Sequence, residues 1–89
     1  MHAVITSVTI EDEAAAEVYL REQVVPRAKE APGFVAGYWV RSEVEGRGVI
    51  VFESEDAARG TADRISESIG GNPGATLNSV TVGEVVASA

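Results

Sequence analysis

Four stretches of the chain are rich in β-branched and aromatic residues, and two others have apolar positions at a helical period. Residues 3–10, Ala-Val-Ile-Thr-Ser-Val-Thr-Ile, are rich in β-branched side chains and predict a first strand. Asp12 then stands as an N-cap, with Glu13 at the positive end of a helix dipole, and a first helix is expected over 13–30. Glu17 and Arg21 form an i,i+4 pair on it. Pro26 lies inside this pattern; it has no N–H to donate and crowds the preceding turn, so a kink or break is expected near Val25. Pro32-Gly33 ends the helical region. Residues 34–42 predict strand two, 43–47 a polar loop with Gly46 available for a positive φ, and 48–53 strand three, so that the two strands form a hairpin. Ser54 caps a second helix whose first turn carries Glu55 and Asp56. Its apolar face is Ala58, Ala62, Ile65 and Ile69. Gly60 within it costs about 1 kcal/mol relative to alanine, which suggests close packing there. The run Gly70-Gly71-Asn72-Pro73-Gly74 breaks the helix, and 76–87 predict strand four with a bulge at Gly83.

The order βαββαβ is an α+β, ferredoxin-like plan: a four-stranded antiparallel sheet with both helices on one face, in a single domain spanning 1–89. Strand three, Gly48-Val49-Ile50-Val51-Phe52, is apolar on both of its faces. A sheet with one wet face alternates apolar and polar residues instead. The face turned away from the helices therefore needs a cover, and a symmetric homodimer with two sheets packed face to face supplies it.

Charge narrows the partners. Fourteen acidic against seven basic residues give a net charge of −7, which disfavours nucleic acid and anionic membrane surfaces. There is no cysteine and one histidine, so disulfides and thiolate metal sites are excluded and a transition-metal site is not expected. No apolar run approaches the length of a membrane span, no basic-then-apolar leader pattern opens the chain, and a cytoplasmic location is expected. No carboxylate pair at defined spacing or Ser-His-Asp set can be assembled. The Gly70–Gly74 run follows a helix rather than opening one, unlike a phosphate-cradling loop.

Pro32-Gly33-Phe34 after a helix, Gly37-Tyr38, a hairpin, and then Phe52-Glu53-Ser54-Glu55-Asp56-Ala57 opening helix two resemble the antibiotic biosynthesis monooxygenase-like group of the dimeric α/β-barrel superfamily. The resemblance covers nearly the whole chain in element order. It implies a homodimer in which each subunit holds a pocket between sheet and helices. Some members oxidise aromatic polyketides with oxygen and no bound cofactor, and others bind and degrade haem. Relatives often place Trp where this chain has Phe52, and haem-degrading relatives carry a His near the positions of Thr61 or Ala62. Neither of those residues ligates haem iron in that manner, so the haem reading is disfavoured, the cofactor-free monooxygenase reading stays open, and no cofactor is expected.

The candidate ligand-binding residues are Trp39, Arg41, Tyr38, Arg21 and Phe52. Tyr38 and Trp39 are adjacent on a strand and point to opposite faces, one towards the helices and one towards the dimer barrel. Trp39 shares its face with Val35, Gly37 and Arg41; it suits stacking on a planar substrate beside the space left by Gly37, with Arg41 on an anionic oxygen. The structural alternative is interface packing with Arg41 exposed. Arg21 falls in the row Ala14, Val18, Arg21, Val25, Ala28, where it either reaches a cavity or snorkels to water. Glu53, His2, Tyr19, Asn78 and Thr6 are secondary candidates, each with an ordinary surface or strand-end role as its alternative, and no catalytic residue is assigned. Two functions are carried forward: a small homodimer binding a hydrophobic or aromatic molecule as a cofactor-independent monooxygenase, and a non-enzymatic stress or interaction module whose sheet interface is purely structural.

Overall fold

The computed structural model describes residues 1–67 and 72–89. Its elements are β1 (His2–Ile10), α1 (Glu13–Tyr19), a π turn (Leu20–Val24), α2 (Val25–Glu30), β2 (Phe34–Ser42), β3 (Glu45–Phe52), α3 (Glu55–Glu67) and β4 (Ala75–Glu84). The strands form one antiparallel sheet in the order β2-β3-β1-β4. This is the ferredoxin-like arrangement expected from the sequence. Ile69, Gly70 and Gly71, which the sequence reading gave to the end of helix two and its breaker, lie outside the described residues.

Both helix starts are fixed by the expected caps. Asp12 Oδ1 accepts from the Ala15 N–H at 3.1 Å, and Ser54 Oγ accepts from the Ala57 N–H at 3.2 Å. Pro26 does not break the first helix. The chain widens instead into a π turn just before it, where the Val25 N–H donates to the Leu20 carbonyl. A wide turn absorbs the crowding that a proline ring imposes on the carbonyl four residues back. It also changes which face is buried. Side chains four apart drift by about 40° per step on a regular α-helix, and the wide turn takes up that drift. Ala16, Leu20, Val24 and Ala28 therefore stay in line facing the sheet, while Ala14, Val18 and Arg21 face solvent. The expected row through Arg21 is thus corrected.

Pro32-Gly33 makes the turn into β2. Gly33 has φ 79° and the Phe34 N–H donates to the Ala31 carbonyl at 3.2 Å, as in a type II turn with Pro second and Gly third. The β2–β3 hairpin is tighter than expected. β3 begins at Glu45, the loop is Glu43–Val44, and Glu43 carries the positive φ of 56° that was assigned to Gly46. Gly46 and Gly48 are both ladder residues. The register slips at Val35 on β2 and at Asn78 on β4, whereas Gly83 stays paired with Ala3, so the expected bulge at Gly83 is absent. β4 ends at Glu84 rather than 87. A methyl group at Gly60 would meet nothing within 4 Å, so close packing is not the reason for that glycine.

The core joins both helical segments to one face of the sheet: Val4, Ile50 and Phe52 pack against Ala28, Ala58 and Ala62. Phe34 and Phe52 meet edge to face with centroids 6.3 Å apart. Paired residues share a face, so Ile5, Tyr38, Val40, Val49 and Val51 lie on the opposite side. Of these Tyr38 is 68% and Val40 64% exposed. β3 is apolar on both sides, as its sequence implied. No helix among the described residues is long and apolar enough to cross a membrane.

Candidate functional site

The helix-facing side of the sheet is unevenly filled. At one end, Val4, Ile50 and Phe52 provide large side chains. At the other, β3 presents Gly46 opposite Val8 and Arg41, and Gly48 opposite Thr6 and Trp39. Two glycines two residues apart on a strand remove two neighbouring side chains from the same face. Above them runs the row Ala16, Leu20, Val24, Ala28. The result is a mainly apolar cleft of about 420 Å³ between the first helical segment and the sheet, closed on one side by Thr61, Arg64 and Ile65 of α3.

Trp39 forms the floor. A Cβ at Gly37 would lie 2.8 Å from Trp39 Cη2, and one at Gly48 would lie 3.0 Å from Cδ1 and 3.1 Å from Nε1. The six-membered end of the indole therefore lies against Gly37 and its pyrrole end against Gly48. A Cβ at Gly48 would also stand 2.6 Å from Thr6 Oγ1. The room beside Gly37 is filled by the tryptophan itself, which leaves a flat aromatic surface turned to the cleft.

Of the other candidates, Arg41 and Arg21 stay near Trp39, whereas Tyr38 and Phe52 do not line the cleft. Trp39 is the member of the Tyr38–Trp39 pair that faces the cleft; Tyr38 is on the outer face. Phe52 is fully buried in the core and does not line the cleft. Arg41 reaches the mouth, where it pairs with Glu13 at 2.7 Å and approaches Glu17 at 4.0 Å, tying β2 to α1. Arg21 pairs with Glu17 at 2.8 Å with its side chain 75% exposed; it is absent from the lining of the main cleft, and edges a shallower neighbouring hollow shared by Glu17, Leu20, Trp39 and Arg41. Tyr19 and Thr6 line the cleft, whereas His2 and Glu53 do not. Asn78 donates to Thr9 Oγ1 at 2.9 Å on an exposed surface.

Three arginines in the lining, Arg27, Arg47 and Arg64, were not anticipated, and of these Arg47 pairs with Glu45. Arg64 donates to Thr61 Oγ1 at 3.1 Å, and Arg27 donates to Gln23 Oε1 at 3.2 Å. Among the described residues, no carboxylate pairs with either. Asn72 also reaches the lining, its Oδ1 taken by the Gly74 N–H at 2.9 Å. Away from the cleft, the hydrogen bond and charge of Arg59 hold the exposed Glu55 carboxyl below its ordinary value. Among the described residues no group of His, Cys, Asp and Glu is arranged to hold a metal ion. The sequence signal for this site was the Gly46-Arg47-Gly48 spacing beside Trp39, visible once both glycines are placed on the strand.

This geometry meets known folds in the comparisons. No protein-family profile matches the chain, and no curated protein sequence does. Solved structures do. The haem-degrader MhuD from Mycobacterium tuberculosis, with two haems bound in its active site, is 29% identical with a TM-score of 0.56, over 97% of this chain and 98% of that one. A mutant of MhuD with two manganese protoporphyrin IX molecules bound per active site is 21% identical with a TM-score of 0.61, over 100% of this chain and 98% of that one. The chain has the antibiotic biosynthesis monooxygenase-like fold of the dimeric α/β-barrel proteins, in agreement with the resemblance read from its sequence.

Proposed function

We propose that this chain acts as a homodimer that binds a planar aromatic small molecule in the cleft and oxidises it with O2 without a resident cofactor. The observation that carries this reading is the Trp39 indole laid along the floor of an apolar cleft of about 420 Å³. That volume is in the range of small-molecule sites, and a flat ring surface favours a flat ligand. The purely structural alternative needs a filled interior, and the glycine floor works against it.

MhuD binds haem in the equivalent fold. Haem iron is held by His, Cys, Met or Tyr side chains. Tyr19 is the one residue of these types in the described lining; the chain's single histidine, His2, lies outside it. A histidine-ligated haem does not fit this cleft, and the ligand proposed is a metal-free aromatic.

The reaction proposed is oxidation of an activated ring methylene, in which O2 takes four electrons: one oxygen atom enters the new carbonyl and the other leaves as water. Such a substrate, once deprotonated, itself donates the first electron to oxygen. The protein's part is to place the ring against Trp39 and to keep bulk water from the reacting carbon. Homodimerisation through the outer sheet face covers Ile5, Tyr38, Val40 and Val49. Oxygen uptake with an anthrone is the test. Uptake above the spontaneous rate, reduced at least about tenfold in Trp39→Ala, supports the reading. Uptake equal to the buffer control sinks the enzymatic part of it.

A further inference from the structure

The arginines of this chain are unequally satisfied. Arg21, Arg41, Arg47 and Arg59 each sit against a glutamate. Arg27 and Arg64 line the cleft, and among the described residues neither has a carboxylate partner. In a chain of net charge −7, acidic side chains outnumber basic ones two to one. Arg27 and Arg64 are both exposed residues at the edge of the apolar cleft, where water solvates them and no carboxylate among the described residues competes with a ligand's anion.

Arg64 is the better placed of the two. It shares one face of α3 with Thr61, which is buried, and the 3.1 Å bond to Thr61 Oγ1 uses one of its five N–H donors. With its oxygen accepting from Arg64, the Thr61 hydroxyl is free to turn its own proton towards the cleft. A charged N–H donor and an O–H donor thus converge on the α3 wall, beside the aromatic floor. Arg27 adds positive charge from the roof. This combination recognises an oxyanion attached to a flat ring, because charge-assisted bonds to a carboxylate or phenolate are the strong ones.

We propose that the ligand is an aromatic anion whose carboxylate or phenolate oxygen is held by Arg64 and Thr61 while its ring lies on Trp39. This rests on the reading that the cleft binds an aromatic molecule. It replaces Arg41, which is engaged by Glu13, as the anion-binding residue.

The experiment is calorimetric titration of the intact protein at neutral pH with anthracene-9-carboxylate and with its uncharged carboxamide. The carboxylate is expected to bind at least about tenfold more tightly than the amide. Arg64→Gln should abolish that preference, weakening the carboxylate far more than the amide. Arg64→Lys should restore part of it, and Thr61→Val should reduce it. Arg59→Gln, on the same helix but paired with Glu55 outside the cleft, should retain it. Equal binding of the two probes to the wild type overturns the anion site and leaves the aromatic cleft standing. So does a preference that survives in an Arg64→Gln protein with an unchanged circular dichroism spectrum. Binding of neither probe overturns both.

Discussion

Trp39 and Gly48 face each other across β2 and β3, and the pyrrole end of the indole lies where a side chain at Gly48 would stand. The floor of the cleft exists because one strand gives up its side chains to the ring of the next. Gly48→Val should therefore push against both Trp39 and Thr6 Oγ1, 2.6 Å from the new Cβ. Overpacking of this kind costs about 1–3 kcal/mol. The variant should fold with a lowered Tm, show a shifted Trp39 emission spectrum, and bind aromatic probes at least about tenfold more weakly. An unchanged spectrum and affinity would mean that the ring does not depend on the glycine.

Phe52 separates stability from binding. It is fully buried and edge-on to Phe34, outside the cleft lining. Phe52→Ala should lose about 3–5 kcal/mol of unfolding free energy in urea melts. Phe52→Leu should lose less and keep wild-type affinity for an aromatic probe. A large affinity loss in the folded Leu variant would return Phe52 to the binding site.

The outer sheet face carries Tyr38 and Val40, exposed to 68% and 64% in the single chain. Exposed apolar area of this kind on a sheet is covered by association. Light scattering at micromolar concentration should give twice the chain mass, and Val40→Asp should give the monomer. A wild-type monomer would remove the dimer from the proposed function.

Acid should loosen the start of α3 in a defined direction. Arg59 holds the Glu55 carboxyl below its ordinary value, through a 2.7 Å contact one helical turn away. A folded-state pKa below the unfolded one gives stability that is present above about pH 4.3 and is lost as pH falls through the lower, folded value. The pair is exposed, so the effect is small. Glu55→Gln should lower Tm at pH 7 slightly and leave it unchanged in strong acid, so that the acid limb of the Tm-against-pH curve is slightly flatter. A steeper acid limb in the variant would reverse the assignment.

The architecture was legible because its signals are local. Asp12 and Ser54 mark the helix starts, and Pro32-Gly33 marks the entry to β2. The site was half legible. Trp39 was found because an aromatic beside a glycine stands out on a strand. Arg64 and Thr61 were missed because nothing in their spacing says that α3 turns them towards a cavity. Arg21 was put in the buried row because a period of 3.6 was carried through Leu20–Val24, where the helix widens ahead of Pro26. Gly46 was read as a loop residue because Gly-Arg-Gly suggests a turn; the hairpin instead turns at Glu43–Val44, and both glycines enter the ladder.

Trp39 is the chain's one tryptophan, so its fluorescence reports on the cleft floor alone. Titration of the intact protein with anthracene-9-carboxylate, followed by tryptophan quenching, tests aromatic binding most directly. Saturable quenching at one ligand per chain, absent in the folded Gly48→Val variant, is the predicted result. Quenching that rises linearly without saturation, equally in both proteins, would contradict a binding site on Trp39.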